Sequence, residues 1–473
     1  MTEIRRTKLA IIGAGPGGYA AAFLAADLGI EVALIDVEPN PGGTCLYRGC
    51  IPSKALLHVA KIINDAKDAV HWGLKFAEPE LELSRLRNST QDVVNQMTGG
   101  LGQLCKTRKV QYIQGRATYL DSNTLEIFGE NMHVHLQAEH TIIAAGSRPA
   151  LFGPLIDSPR MMNSTTALQL PDIPQDMLVI GGGYIGLELG SVYARLGVKV
   201  TVVEMGGGLL PGADRDLVRP LYQRMESVFQ EILLNTTVAE LKEETDGMHV
   251  RLEGPNIEQA HRVFEKVLVC VGRKPNSSGL GLKATRVQLD PRGFIKVDAQ
   301  RRTDDPAVFA VGDIVNGPML AHKASHEGRV AAEVIAGRNV AFEPRAIPAV
   351  AFTDPEIAWC GLQESEAKAS EQAVKVLRFP WAASGRAATL HREEGLTKLV
   401  CDPDTEQVLG VGIVGQGAGE LIAEGALAIE MGAIARDLDL TIHAHPTLSE
   451  TLMESAASFY GHSTHIHRPK RQK

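Results

Sequence analysis

Residues 8–36 open with Lys8-Leu9-Ala10-Ile11-Ile12-Gly13-Ala14-Gly15-Pro16-Gly17-Gly18, continue as an alanine-rich stretch to Leu28-Gly29, and close with Glu31-Val32-Ala33-Leu34-Ile35-Asp36. Lys8 to Ile12 is short and apolar, as a strand buried in a parallel sheet requires. Gly13-x-Gly15-x-x-Gly18 follows without a spacer, then a helical stretch that Gly29 stops, then a strand from Glu31 to Ile35 ending at Asp36. In such a unit the first glycine makes the turn, the second lets backbone approach a pyrophosphate, and the third lets helix pack closely on strand. The helix N-terminus favours phosphate charge, and Asp36 is placed to accept hydrogen bonds from a ribose.

The order repeats downstream. Met177 to Ile180 reads as a strand, Gly181-x-Gly183-x-x-Gly186 as the turn, Leu187 to Leu196 as a helix stopped by Gly197, and Val198 to Val203 as a strand leading into Glu204. Asp36 lies 18 residues after Gly18, and Glu204 lies 18 residues after Gly186. One glycine fingerprint arises for many packing reasons; two with matching strands, helices and acids point to two dinucleotide sites. Between Glu204 and Arg215 there is no basic residue. A 2′-phosphate there would face a carboxylate unneutralised, so NAD is expected rather than NADP.

Directly after the first unit stands Gly42-Gly43-Thr44-Cys45-Leu46-Tyr47-Arg48-Gly49-Cys50-Ile51-Pro52-Ser53-Lys54. Residues five apart on a regular helix are separated by about 7.5 Å along its axis, whereas a disulfide needs Cα atoms within about 4.4–6.8 Å. The pair therefore needs a distorted backbone, and Gly49 gives it room to bend. A helix over Ala55 to Val70 is expected to start near Pro52, which places Cys50 where the helix dipole and a nearby cation stabilise a thiolate. Three readings stand: a redox pair, a structural disulfide, or two buried thiols. A reducing compartment argues against the second, and the neighbouring dinucleotide unit favours the first.

A chain of 473 residues exceeds one ordinary core, so about two to four domains are expected. Apolar residues at 44% and charged residues at 22% are those of a globular protein. A net charge of -8 argues against nucleic acid as the main partner, because phosphate binding needs a basic surface. Cys105, Cys270, Cys360 and Cys401 read as buried small apolar residues. So few cysteines make no disulfide framework, so a reducing, cytoplasmic setting is expected. Leu9 to Ala26 is uncharged behind Arg5, Arg6 and Lys8 and superficially resembles a signal peptide or membrane span. Its central glycines make a poor helix interior for either role, so no membrane span is expected.

Four motifs now resemble one family, the disulfide-bearing pyridine nucleotide oxidoreductases. They are the cysteine segment above, Val271-Gly272-Arg273-x-Pro275-Asn276, Ala310-Val311-Gly312-Asp313, and His443-Ala444-His445-Pro446-Thr447-x-x-Glu450. The resemblance runs from Lys8 to about Phe459. Leu320-Ala321-His322-Lys323-Ala324 and Phe379-Pro380-Trp381-Ala382-Ala383-Ser384-Gly385-Arg386-Ala387 are similar to the branch acting on dihydrolipoamide.

That resemblance implies FAD in the first unit, contacted by Gly13, Gly15, Gly18, Gly43, Thr44 and Ala321. Asp36 would bind its ribose, Lys54 would sit near the flavin ring, Gly115 to Ala117 and Ala145-Gly146 would line the adenine side, and Asp313 would meet the ribityl chain. It implies NAD in the second unit, contacted by Gly181, Gly183, Ile185 and Gly186. Glu204 would bind its ribose, Val238 and Gly272 would lie along the crevice, and Tyr184 would cover the nicotinamide pocket. Glu188 would pair with Lys54. Cys45 would exchange with substrate and Cys50 would serve the flavin. His445, lent by the partner subunit of a homodimer, would be the base, oriented by Glu450. The implied activity is oxidation of protein-bound dihydrolipoamide with reduction of NAD+. The implied setting is a 2-oxoacid dehydrogenase or glycine cleavage complex, with lipoyl domains and an acyltransferase core as partners. A relative with another disulfide substrate and a mainly structural assembly subunit are the alternatives. Glu204, the absence of any cysteine beyond Cys401, and intact Cys45, Cys50 and His445 argue against them.

From the residues alone, Thr447-x-x-Glu450 after Pro446 is a capping-box pattern, so Glu450 reads as a helix cap and His445 as structural as readily as catalytic. Tyr47 and Arg48 stand where the family usually has asparagine and a β-branched residue, a departure expected to bear on the disulfide potential. Asp36 replaces a glutamate and Ala145 a threonine. No metal centre is expected; His462, His465 and His467 sit in the polar tail ending Lys470-Arg471-Gln472-Lys473 with no cysteine or acid among them. The expected fold class is α/β, with two Rossmann-like dinucleotide-binding domains and a C-terminal α+β dimerisation domain. Residues 1–147 form the FAD domain, 148–275 the NAD domain, 276–345 a central segment completing the FAD domain, and 346–473 the interface domain.

Overall fold

The computed structural model describes residues 3–130, 132–150, 158–255 and 257–467. Strand β1 spans Glu3–Ile12, helix α1 spans Pro16–Asp27 and strand β2 spans Val32–Asp36. β1 starts earlier than its apolar run because Glu3–Thr7 pair in register with Val134–Ala138 of the long strand Met132–Ile143. Those first residues are mostly exposed, so hydropathy does not mark them as strand. The buried face of α1 is Gly17, Gly18, Ala21, Ala22 and Ala25. Small residues let it approach helix Ala321–Ile335, where a Cβ on Gly328 would lie 2.3 Å from Gly17 O.

The first sheet has seven strands. Gln111–Gln114, β2, β1 and Met132–Ile143 lie side by side and parallel. Arg116–Asp121 and Thr124–Gly129 extend the far edge antiparallel, and Val308–Ala310 joins Met132–Ile143 in parallel. A strand from residues 308–310 thus returns to the N-terminal sheet after the second unit is complete. The second sheet is parallel throughout, in the order Glu231–Leu233, Lys199–Val203, Asp176–Ile180, Lys266–Val269, Met161–Asn163. Both are doubly wound α/β layers, with near-continuous apolar strands such as Met177–Ile180 wholly buried.

The third sheet, Ala349–Ala351, Glu356–Gly361, Val408–Gly415, Leu396–Cys401 and Lys375–Pro380, is antiparallel. Helices Ala418–Met431 and Glu450–Ala457 back it. It is fastened to the second unit by Lys398, which is 1% exposed and lies 2.5 Å from Asp214 Oδ2 and 2.7 Å from Asp216 Oδ1. A buried ammonium needs such partners, and their loss would leave it uncompensated. No helix among the described residues is long and apolar enough to cross a membrane.

Candidate active site

Helices α2 (Gly43–Arg48) and α3 (Cys50–Asp68) follow β2 and fold back on the first glycine loop. Gly42 N–H donates to Ala14 O at 2.8 Å. Gly43 has φ +56, and a Cβ there would come 2.5 Å from Gly15 Cα, so this approach needs glycine. Gly49, at φ -146 and ψ -117, breaks α2 from α3; its own Cβ would lie 2.8 Å from Thr44 O. The break lets sulfurs five residues apart meet, and it starts α3 at Cys50 itself.

Cys45 and Cys50 are free thiols on one cavity wall, and each acts on the other's titration. The Cys45 thiol is the largest influence holding the Cys50 thiol below its ordinary value; desolvation opposes it, the Lys54 ammonium reinforces it, and Glu188 opposes. The Cys50 thiol, with desolvation, raises the Cys45 thiol. Of the two, Cys50 is the one whose thiolate is favoured.

Lys54 follows Cys50 by four residues, one turn of α3. Its Nζ donates to Glu188 Oε2 at 2.8 Å and lies 4.4 Å from the centre of the Phe352 ring. Glu188, 3% exposed, accepts the Phe352 N–H on its other oxygen at 2.9 Å. One carboxylate thus joins the cysteine helix, the second-unit helix Tyr184–Arg195 and the approach to the third sheet.

A cavity of about 650 Å³ runs beneath these groups. Cys45, Cys50, Lys54 and Glu188 line it, together with Gly13, Gly15, Asp36, Gly43, Thr44, Gly115, Ala117, Ala145, Gly146, Asp313 and Ala321. Tyr184 and Ile185 reach it from the second unit. Gly18 is buried inside α1, where a Cβ would lie 1.8 Å from Gly13 O. Gly186 repeats this at 2.2 Å from Gly181 O. The middle glycines differ. A Cβ on Gly15 would meet nothing nearer than Gly43 Cα at 3.8 Å, and one on Gly183 nothing within 4 Å. Neither Gly15 nor Gly183 caps its helix with a side chain. First and third glycines serve the protein's own packing; the middle ones leave open, amide-rich space that fits a pyrophosphate.

The acids of both units brace the loops. Asp36 accepts from Ala14 N at 2.6 Å and Glu38 N at 3.0 Å. Burial raises its carboxyl, against those two-sided backbone bonds and Arg48. Glu204 accepts from Gly182 N and Gly206 N, both at 2.7 Å. Arg215, the first basic residue after it, spends its donors on carbonyls: Leu209 O at 2.7 Å, Leu210 O at 2.6 Å, and Ala213 O. It is not available to neutralise a phosphate on the ribose. Val238 is buried on the neighbouring strand Thr237–Glu244, and Gly272 sits at φ +109 with open space around it.

Two groups around the Asp313 motif carry no motif of their own, Ser147 and Glu327. Asp313 Oδ2 accepts from Ser147 Oγ at 2.6 Å. Gly312 N–H donates to Glu327 Oε2 at 2.7 Å, and Glu327, wholly buried, is neutralised by Arg301 at 2.9 Å and Lys323 at 3.0 Å. Glu327 thereby fixes the Gly312–Asp313 turn. Its only sequence signal is a Lys323/Glu327 spacing of four on an alanine-rich helix.

His445 Nδ1 lies 2.9 Å from Glu450 Oε1, and Glu450 Oε2 accepts Thr447 N–H at 2.7 Å. Glu450 is both cap and orienter. Burial raises its carboxyl, but the Thr447 amide and His445 outweigh this and hold it below its ordinary value. The dyad does not line the cavity, and the His445 side chain is 74% exposed. Within one chain the structure does not bring it to the cysteines.

Tyr47 Oη bonds the Asn40 backbone, and Arg48 pairs with Glu38 while lining the same cavity as the two cysteines. One expectation needs correction. Cys270 is half-buried rather than buried, unlike Cys105, Cys360 and Cys401. The tail histidine His465 pairs with Glu454 at 2.6 Å, an acid that the fold brings from an earlier helix. Residues 470–473 lie outside the described residues.

The family described as pyridine nucleotide-disulphide oxidoreductase matches residues 7–328, and its dimerisation domain matches residues 347–456. Among curated relatives, the dihydrolipoyl dehydrogenase of Vibrio cholerae is 45% identical with all of both chains covered. That of Haemophilus influenzae is 46% identical over 99% of this chain and 98% of its own. That of Thermus scotoductus is 45% identical over 97% and 98%. A crystal structure of LpdA from Mycobacterium tuberculosis superposes with TM-score 0.89 at 26% identity, covering 96% of this chain and 99% of that one. A copper(II) complex of the HOCl-induced flavoprotein disulfide reductase RclA of Escherichia coli shares the fold, with TM-score 0.85 at 24% identity and the same coverage.

Proposed function

The chain belongs to the pyridine nucleotide-disulphide oxidoreductase family, and from that membership we propose that it oxidises a dihydrolipoyl dithiol at Cys45–Cys50 and reduces NAD+. The observation that carries this reading is that Cys45 and Cys50 stand together on the wall of the cavity that the first glycine loop also lines. Gly13, Gly15, Asp36, Thr44, Lys54 and Asp313 would hold FAD along the first unit, where that group would supply two-electron chemistry between the dithiol and the nicotinamide.

The protein's part is sulfur and proton chemistry. The enzyme starts with Cys45 and Cys50 joined. A substrate thiolate attacks the Cys45 sulfur, and Cys50 leaves as the thiolate that its lowered pKa stabilises. The second substrate thiolate attacks the sulfur now bonded to Cys45, forming the cyclic disulfide and releasing Cys45. Two electrons and two protons leave the substrate; NAD+ takes the electrons with one proton, and the other proton is released. The base that ionises the substrate is His445. Its Nδ1–H donates to Glu450, so Nε2 is left to take the proton.

His445 reaches a cysteine pair in a homodimer. It lies within the segment matched by the dimerisation domain. Nearby, Leu427, Met431, Leu440 and Ile442 are 62%, 76%, 64% and 96% exposed, an apolar surface suited to a partner. Symmetric pairing would carry each His445 to the other chain's cavity. NAD rather than NADP is supported by Glu204 and the engaged Arg215. The dithiol would be carried on lipoyl domains of a 2-oxoacid dehydrogenase or glycine cleavage complex, docked on its acyltransferase core, in the cytoplasm.

The test is turnover by the purified protein. Dihydrolipoamide with NAD+ is expected to react. Failure there, with turnover of glutathione disulfide or another disulfide instead, would overturn the substrate assignment.

A further inference from the structure

We propose that Glu126, His133 and His135 form a surface site for one divalent first-row transition ion, Zn2+ or Cu2+. No motif placed these residues together; sheet register does. Strand Thr124–Gly129 pairs antiparallel with Met132–Ile143, setting Glu126 opposite His135 and Phe128 opposite His133. Residues two apart on a strand share a face, so all four side chains stand on one side of the hairpin.

The donors already converge. Glu126 Oε1 lies 2.8 Å from His133 Nε2 and 3.6 Å from His135 Nε2, and all three donor atoms lie within 4.8 Å of one another. Ligand atoms about 2.0–2.1 Å from a tetrahedral ion stand roughly 3.4 Å apart, so small side-chain rotations suffice. The His133 ring stacks on Phe128 with centroids 4.4 Å apart and planes at 12°, and meets the His135 ring edge-on at 84°. Those contacts hold both imidazoles upright before an ion arrives. Two imidazoles and one carboxylate on a partly exposed face suit Zn2+ or Cu2+ and leave a position for water; Mg2+ prefers an all-oxygen set. The acidic cluster Asp214, Asp216 and Glu364 is a useful contrast, because Lys398 already fills its centre.

The experiment uses the full-length, flavin-loaded protein in its disulfide form, so that Cys45 and Cys50 offer no thiolate. Equilibrium dialysis against Zn2+ and against Cu2+ is compared with His133→Ala/His135→Ala and with Glu126→Gln. The unsubstituted protein is expected to hold one equivalent that the double variant loses, and Glu126→Gln to weaken it by about tenfold. Electron paramagnetic resonance of the Cu2+ form should show two coordinating nitrogens that the double variant lacks. Metal-free turnover of the double variant should be unchanged. Ion binding by the double variant equal to that of the unsubstituted protein would overturn the site, as would retention of Mg2+ equal to that of Zn2+.

Discussion

Lys54 Nζ and Glu188 Oε2 stand 2.8 Å apart across the boundary between the first and second nucleotide units. The pair ties the cysteine helix to the helix that opens the second dinucleotide site. It also places the Lys54 ammonium where it lowers the Cys50 pKa.

Replacing Glu188 with alanine leaves the Lys54 ammonium and the Phe352 amide without their acceptor. A one-third exposed lysine retains some hydration, so the expected loss is about 1–3 kcal/mol rather than that of a fully buried pair. A thermal melt checks it. A change within experimental scatter would mean the pair is not holding the units together.

Lys54→Met tests the sign of the electrostatics. Lys54 lowers the Cys50 pKa, so its removal must move the thiolate titration of the reduced protein to higher pH. Ultraviolet thiolate absorbance against pH reads this directly. An unmoved or acid-shifted midpoint would contradict the assignment.

The glycines separate by role. Gly186→Ala places a methyl 2.2 Å from Gly181 O and should destabilise the fold. Gly183→Ala meets nothing and should leave stability within about 0.5 kcal/mol, yet raise the KM for NAD+ by about tenfold because the methyl occupies the pyrophosphate approach. Equal melting temperatures for the two variants would refute the distinction.

For the dyad, His445→Gln should lower dihydrolipoamide turnover by about 10²–10⁴-fold while leaving reduction of the bound flavin by NADH unchanged. Glu450→Ala removes the acceptor that orients His445 Nδ1 and caps Thr447 N–H, so kcat/KM for dihydrolipoamide should fall while reduction of the bound flavin by NADH stays unchanged. An unchanged kcat/KM would contradict the pairing seen between Nδ1 and Oε1.

Tyr47→Asn and Arg48→Val should leave the disulfide potential within about 30 mV, which is about 1.4 kcal/mol, because the polar ends of both side chains are engaged by the 38–40 loop. Equilibration with a thiol redox buffer measures it.

Much of this was legible in the residues because the chemistry is local. Each fingerprint encodes strand, turn and helix within about thirty residues, and the cysteine segment carries its own helix break at Gly49. What the sequence hid was set by distant pairing. Glu3–Thr7 are strand only because Val134–Ala138 lie alongside. Glu327 accepts from Gly312 N–H across fifteen residues of chain and so braces the turn that carries Asp313. Glu126 meets His133 and His135 only through hairpin register. The role proposed for His445 rests on likeness alone, since within one chain it does not line the cavity.

The central claim is that electrons pass through the Cys45–Cys50 pair. The oxidised protein, given one equivalent of NADH without oxygen, is labelled with an alkylating reagent and its peptides are mapped by mass. The account predicts new labelling confined to Cys45 and Cys50. Unchanged labelling of both, with the flavin reduced, would contradict it.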